Sequence, residues 1–303
     1  MRISVDAMGG DDAPREIVAG ALLAARQIKG LERLFLVGDR LAIEAELAQS
    51  SEPVPACVEI VHTTEVVGMG EAPATAIRRK KDSSIARAIS LVKEGDADAV
   101  FSAGNTGAAV AASTLKLRTL EGVSRPAIAT VIPTSKNPYV LLDAGANPDS
   151  TPEMLQQFAV MGSIYSREIL GVSSPRVGLL SIGEEAAKGN ETTKKGFGLL
   201  EQARLQFVGN VESRDLFSGK VDVAVCDGFV GNVVLKTTES VARMISTWLK
   251  ELFRESPIRI LGYLLSRGVF REVRRKTDPT CLHTSPHSKT FDLPHPSAWQ
   301  SHQ

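Results

Sequence analysis

Ser102-Ala103-Gly104-Asn105-Thr106-Gly107 closes an apolar run over residues 97–101 and opens an Ala-rich run over 108–117. That order reads as a strand, a glycine turn and a helix. Four other apolar runs end in the same way. Asp6-Ala7-Met8-Gly9-Gly10-Asp11 follows residues 2–5, and Asp143-Ala144-Gly145-Ala146-Asn147 follows 139–142. Gly183-Glu184-Glu185 follows 177–182, and Cys226-Asp227-Gly228-Phe229-Val230-Gly231-Asn232 follows 221–225. In an open α/β sheet the parallel strands end on one edge, and ligands bind in the crevice there. Glycine lets backbone approach a ligand closely, and free N–H groups at a helix start favour anions. The pattern predicts an α/β enzyme that handles phosphate.

Between these turns, short β-like runs alternate with helical ones. Strands are expected at 2–5, 34–37, 58–62, 127–132, 139–142, 203–209 and 221–226. Helices are expected at 15–29, 41–49, 74–94 with a break near Asp82-Ser83-Ser84, 152–168 and 232–253. The runs 127–132 and 139–142 are joined by Pro133-Thr134-Ser135-Lys136-Asn137-Pro138, too short for a crossover helix, so they predict a hairpin. The expected fold is α/β, a three-layer sandwich on a mixed, mostly parallel sheet.

The totals exclude several classes. A chain of 303 residues with 43% hydrophobic content can bury a sizeable core. Lys+Arg and Asp+Glu are both 35, so no global charge argues for nucleic acid. The three cysteines, Cys57, Cys226 and Cys281, are few and far apart, which fits a reducing cytosol rather than a disulfide framework. Met1-Arg2 runs straight into a strand-like Ile-Ser-Val, so no signal peptide is expected, and no apolar stretch reaches bilayer length. A cytoplasmic protein is predicted.

The turns supply the candidate chemistry. At 102–107 the N–H groups of Asn105, Thr106 and Gly107 and the Ser102 and Thr106 hydroxyls can face an anion. An ordinary strand-to-helix turn with a polar cap is the alternative. Lys188, in a short loop bounded by Gly183 and Gly189, can neutralise a phosphate or an acyl oxyanion, or simply be solvated. Asp227 can orient a nucleophile, and Asn232 can donate to an oxyanion or cap the following helix. Asp6 and Asp11 flank a Gly9-Gly10 turn, where carboxylates can hold a metal or, more simply, shape the turn. Neither 102–107 nor 183–189 fits a Walker A or GxGxxG pattern. Only His62 stands in the folded body, which argues against a Ser-His-Asp triad. The expected catalytic residues are Lys188, Asn232, Asp227 and Asn105. Phosphate or substrate binding is assigned to Asp6, Gly9, Gly10, Ser102, Gly104, Thr106, Gly107, Asn147, Gly228 and Gly231. No metal is expected.

Taken together, Val-Asp-Ala-Met-Gly-Gly-Asp, Ser-Ala-Gly-Asn-Thr-Gly-Ala, Leu-Asp-Ala-Gly-Ala-Asn, Ile-Gly-Glu-Glu and Cys-Asp-Gly-Phe-Val-Gly-Asn-Val resemble, in order and spacing, the bacterial phosphate acyltransferases of phospholipid synthesis, the PlsX family. Arg87 to Gly95 fits as well. The resemblance covers residues 1 to about 278. It implies transfer of a fatty acyl group from acyl-carrier protein to inorganic phosphate, giving acyl phosphate. It also implies a homodimer, no organic cofactor, and a fold like the phosphotransacetylases and the isocitrate/isopropylmalate dehydrogenases. A short-chain phosphotransacetylase using coenzyme A is one alternative; an inactive paralogue that keeps only dimer or carrier-protein binding is another.

Two C-terminal features complete the picture. From Pro257 to Arg275, apolar Ile258, Ile260, Leu261, Leu264, Leu265, Val269 and Phe270 are interleaved with arginines. An amphipathic helical hairpin is expected over 254–275, for an anionic membrane at the inner face, for the carrier protein, or for a dimer partner. Near Thr280 the resemblance stops, as if by a frameshift or truncation. Four of the five His and four of the fifteen Pro lie from residue 279 onward, a composition that predicts a disordered, non-family tail over 279–303.

Overall fold

The glycine-ended runs become strands of two sheets rather than one. The computed structural model describes residues 1–277. The expected 279–303 tail, with Cys281 and its histidines, lies outside the described residues. The chain divides into two compact units, Met1–Pro126 and Ala127 onward.

In the first unit, β1 (Arg2–Asp6), β2 (Arg33–Gly38), β3 (Val58–His62) and β4 (Ala99–Phe101) form an all-parallel sheet in the order β3-β2-β1-β4. Helices α1 (Arg15–Gln27) and α2 (Arg40–Ala48) cover one face, where Val18, Leu22 and Ile43 meet Val5, Leu34 and Leu36. Helix α4 (Ser84–Glu94) covers the other face through Ala88 and Leu91 against Phe35 and Val37. Helices α3 (Pro73–Arg79) and α5 (Thr106–Lys116) pack with α4 through Ala76, Ile77, Ile89 and Ala112. The helix expected over 74–94 is therefore two helices, and its break falls at residues 80–83, where Ser83 leaves helical φ/ψ.

The second unit holds β5 (Ala129–Ile132), β6 (Tyr139–Leu142), β7 (Arg176–Leu180), β8 (Gln206–Val211) and β9 (Val223–Val225), in the order β5-β6-β9-β7-β8. The expected hairpin is present: β5 runs antiparallel to β6, and the other pairs are parallel. Helix α6 (Pro152–Leu170) and α7 (Glu191–Gln202) cover one face through Leu155, Phe158 and Leu200. The first turns of α8 (Gly228–Arg254) lie on the other, with Val230, Val234 and Leu235 against Leu141, Ala224 and Cys226. Each unit is a three-layer sandwich. At the far edge of the second sheet, the buried Asp222 carboxylate accepts from Arg176 N, Nε and Nη2 at 2.9, 2.9 and 3.0 Å, tying β7 to the start of β9.

Two expectations are corrected here, and one helix is unforeseen. Helix α7 carries no sequence forecast, because Gly196, Gly198 and two threonines dilute its helical signal. Strand β8 begins at Gln206 rather than at residue 203 and continues to Val211. Helix α8 begins at Gly228, not Asn232, because Asp227 caps it.

Beyond Phe253, α9 (Pro257–Leu265) and α10 (Arg267–Thr277) follow α8. Ser256 caps α9 through Oγ, and Pro257 occupies its first turn, where a missing N–H costs nothing. Phe253, Tyr263 and Phe270 form a three-ring cluster that joins the helices. Ile258 and Leu265 are 83% and 81% exposed. No helix among the described residues is long and apolar enough to cross a membrane.

Candidate functional site

In the first unit the ends of the neighbouring strands β1 and β4 meet. Asp6, the last residue of β1, is 3% exposed. Ser102 Oγ donates to Asp6 Oδ2 at 2.7 Å and accepts from Gly104 N at 3.1 Å. The two turns close so tightly that a Cβ on Gly9 would lie 2.5 Å from Asp6 Oδ2 and 2.9 Å from Gly104 N. Gly10 has φ +114°, a conformation glycine adopts readily. Asp6 Oδ1 is buried with no hydrogen-bond partner.

Helix α5 starts from this turn. Asn105 Oδ1 accepts from Ala108 N at 3.0 Å, an ordinary N-cap. Its Nδ2 donates to Met69 O at 3.0 Å and Glu71 O at 3.1 Å. The Asn105 amide is thus committed on both sides, so it braces the turn instead of standing free as an oxyanion donor. Thr106 and Gly107 are exposed, and the first intrahelical bond is from Ala109 N to Asn105 O. The Thr106 and Gly107 amides precede that bond at the positive end of α5, an arrangement suited to an anion. Gly107 is required for a second reason: a Cβ there would lie 2.6 Å from Pro73 Cγ.

In the second unit, β6, β9 and β7 are parallel neighbours, so the turns after them share one edge. Asp143, fully buried after β6, organises the first turn. Its Oδ1 accepts from Ile128 N, Gly145 N and Ala146 N at 3.0, 3.1 and 2.9 Å. Its Oδ2 accepts from Asn147 N and Asn147 Nδ2 at 2.7 and 2.8 Å. The sequence shows Asp143 within a motif but gives it no role. Five donors converging on one carboxylate show that it shapes the loop.

Helix α8 begins against that loop. Asp227 Oδ1 accepts from Val230 N at 2.8 Å, which makes it the helix cap. Gly228 N donates to Asn147 O at 2.8 Å. A Cβ on Gly228 would lie 2.7 Å from Asn147 O, and one on Gly231 only 1.8 Å from Asp143 O. These two glycines hold helix against loop, and both are buried. Asn232 sits in the second turn of α8 and is exposed, beside Gly145. Cys226 is buried near Asp143 O, and burial pushes its thiol well above the usual range, so it remains a neutral core thiol. After β7, the 183–189 loop turns at Gly189, with φ +106°. Lys188 is exposed, its backbone N–H bonded to Glu185 O, and its ammonium has no partner among the described residues. No group of three or more His, Cys, Asp or Glu among the described residues is placed to hold a metal.

Comparison with known proteins defines the family. A family model described as "Fatty acid synthesis protein" matches residues 1–286. The chain is 51% identical over 278 residues to a phosphate acyltransferase of Pelotomaculum thermopropionicum, which covers 92% of this chain and 80% of the relative. The chain belongs to the fatty acid synthesis protein family. A second family member, a phosphate acyltransferase of Desulfitobacterium hafniense, is 53% identical over 279 residues, covering 92% of this chain and 82% of its own. Among solved structures, a phosphotransacetylase from Streptococcus pyogenes matches with a TM-score of 0.60 at 17% identity, over 80% of this chain and 82% of that one. A phosphotransacetylase from Staphylococcus aureus matches at 0.57 and 18%, over 80% and 82%. At such identities the likeness shows that the family shares their fold.

Proposed function

We propose that this chain transfers a fatty acyl group from acyl-carrier protein to inorganic phosphate, forming acyl phosphate for phospholipid synthesis. The observation that carries this is identity of 51 and 53% with phosphate acyltransferases across 92% of the chain. An oxygen of monohydrogen phosphate attacks the thioester carbonyl. The carbonyl becomes a tetrahedral oxyanion, the C–S bond breaks, and the proton first carried by phosphate leaves with the thiol. The nucleophile is already anionic, so positioning and charge stabilisation supply most of the catalysis.

Roles are assigned unit by unit. In the first, phosphate is held by the N–H groups of Thr106 and Gly107 and by the Thr106 hydroxyl, on a turn fixed by Asp6, Ser102, Gly9, Gly10, Gly104 and Asn105. In the second, the Lys188 ammonium, unpartnered among the described residues, and the exposed Asn232 amide serve developing negative charge. There Asp227, Gly228, Gly231 and Asn147 fix the start of α8. The scheme draws on no organic cofactor and no metal. The chain works as a cytoplasmic homodimer, and the α9–α10 hairpin lies on the inner face of an anionic membrane, which receives the product.

Acyl phosphate formed from long-chain acyl-carrier protein and phosphate tests the reading directly. Turnover of acetyl-coenzyme A alone would replace it with a short-chain phosphotransacetylase. No acyl phosphate from either donor would leave a binding paralogue.

A further inference from the structure

The 183–189 loop carries Lys188, and a side chain from the neighbouring strand reaches into it. Glu185 O accepts from Lys188 N at 2.9 Å and from Asn210 Nδ2 at 2.9 Å. One carbonyl therefore joins the backbone of the lysine to β8. Asn210 is 3% exposed, and its Oδ1 is buried with no hydrogen-bond partner among the described residues. A buried amide with its oxygen unpaired works against folding, and a β-branched apolar residue would suit a strand better. What Asn210 supplies in return is the bond to Glu185 O.

The strand departs from regular pairing to deliver that bond. Val177 pairs with Phe207 and Leu179 with Asn210, so β8 carries one residue more than β7 over this stretch. The extra residue is a β-bulge, and Gly209 within it has φ +89°, in the region that favours glycine. In an unbroken register Gly209 would stand opposite Leu179. The bulge puts Asn210 there instead, one residue before the end of β7, and its amide reaches the loop that follows β7. Within the loop, a Cβ on Gly183 would lie 3.0 Å from Lys188 Cγ and 3.0 Å from Glu185 Oε2, so both side chains fold back over Gly183. The other ties are weaker. Ser181 Oγ donates to Lys188 O only at 3.4 Å, and Glu184, half exposed, pairs with Lys220 Nζ at 2.8 Å. Exposed ion pairs constrain little, so the buried bond from Asn210 is the one that fixes the loop.

We propose that Asn210 is a positioning residue for acyl transfer, which holds the 183–189 loop so that the Lys188 ammonium stands where negative charge develops. This rests on the acyl-transfer reading above. Asn210 is buried and touches no substrate; it acts through Glu185 O and the backbone of Lys188. Pre-setting the loop removes the need to order it at each turnover, which is how a residue outside the chemistry changes its rate.

The test is a double-mutant cycle between Asn210→Ala and Lys188→Ala, read as acyl phosphate formed from long-chain acyl-carrier protein and phosphate. Alone, Asn210→Ala should lower kcat about tenfold. In the Lys188→Ala background the same change should lower it less than twofold, because the group it positions is gone. A merely structural role would cost the same in both backgrounds. Equal losses in the two backgrounds, or no loss with Lys188 present, would overturn the proposal. If the alanine variant does not fold, Asn210→Val, which suits a strand and also lacks the donor, carries the same comparison. Proton exchange in the wild type gives a reading that needs no variant. The Asn210 side-chain amide should exchange at least tenfold more slowly than that of exposed Asn137, and equal rates would refute the buried bond. A wild-type chain that makes no acyl phosphate sinks the acyl-transfer reading instead. Exchange at Lys188 N then decides for the loop: faster exchange in Asn210→Ala keeps Asn210 as its brace, and unchanged exchange removes it.

Discussion

At the residue scale, the glycines of α8 set the tightest constraint. Gly231 faces the carbonyl of Asp143 with no room for a methyl group. Gly231→Ala should cost about 3 kcal/mol, since overpacking of this kind forces backbone to move. Urea denaturation would read it as a lower midpoint, and an unchanged midpoint would refute the close approach. Lys188 should behave in the opposite way. Its side chain is exposed and unpartnered among the described residues, so Lys188→Ala should leave the thermal midpoint within a few degrees. Loss of a charge-assisted contact worth ~1.5–3 kcal/mol predicts a turnover drop of roughly 10- to 100-fold. Near-normal acyl phosphate formation would remove Lys188 from the site. Asn105→Asp separates two duties of one side chain. The carboxylate can still cap α5 but cannot donate to Met69 O and Glu71 O, so residues 68–71 should exchange amide protons faster while α5 stays protected.

At the element scale, the ion pair between Asp222 and Arg176 should govern acid sensitivity in the second unit. Burial works against the Asp222 carboxylate, but the Arg176 side-chain and backbone bonds outweigh it and hold the group below its ordinary value. A depressed carboxyl contributes stability that is complete above the unfolded value, near pH 4, and is lost as pH falls through the folded one. Asp222→Asn should cost ~1.5–3 kcal/mol at pH 7, a range kept modest because Arg176 is partly exposed. The gap between variant and wild type should shrink below about pH 4. A gap that persists at pH 3 would point to packing rather than charge.

Elements also show where the sequence was legible. Strand ends were, because Asp or Asn next to glycine marks a turn whatever surrounds it, and β1, β2, β6 and β9 fall within a residue or two of expectation. Helix starts were less so. Gly228 and Gly231 read as loop, yet they lie in α8, which Asp227 caps, and glycine stands there because only a residue without Cβ fits against Asn147 and Asp143. That requirement is tertiary and invisible along the chain. The same holds for Asn105, whose amide looks free in sequence and is spent on carbonyls more than 30 residues away. Gly196, which weakened the signal for α7, is there to let that helix close on Leu155.

At the scale of the whole molecule, the charge total hides its distribution. Equal numbers of acids and bases argue against nucleic acid, but they do not show where charge of one sign clusters, as it does along Arg78-Arg79-Lys80-Lys81. The exposed apolar residues of α9 and α10 make a similar point, since composition registers them only as average hydrophobicity. Replacing Leu264 and Leu265 with Glu should abolish co-sedimentation with anionic liposomes and leave the oligomeric state by light scattering unchanged. Dissociation into monomers would instead make the hairpin a subunit contact.

Helix α8 also carries an optical consequence. Trp248 is 54% exposed on its surface, near Met244 and Leu252, which are themselves exposed. The chain has one other tryptophan, Trp299, outside the described residues. In a Trp299→Phe background, the emission of the protein reports on Trp248 alone. An indole in contact with water emits to the red and shifts to the blue when an apolar surface covers it. Whatever lies down on α8, lipid or protein, therefore writes its arrival into the colour of the intrinsic fluorescence, with no label attached.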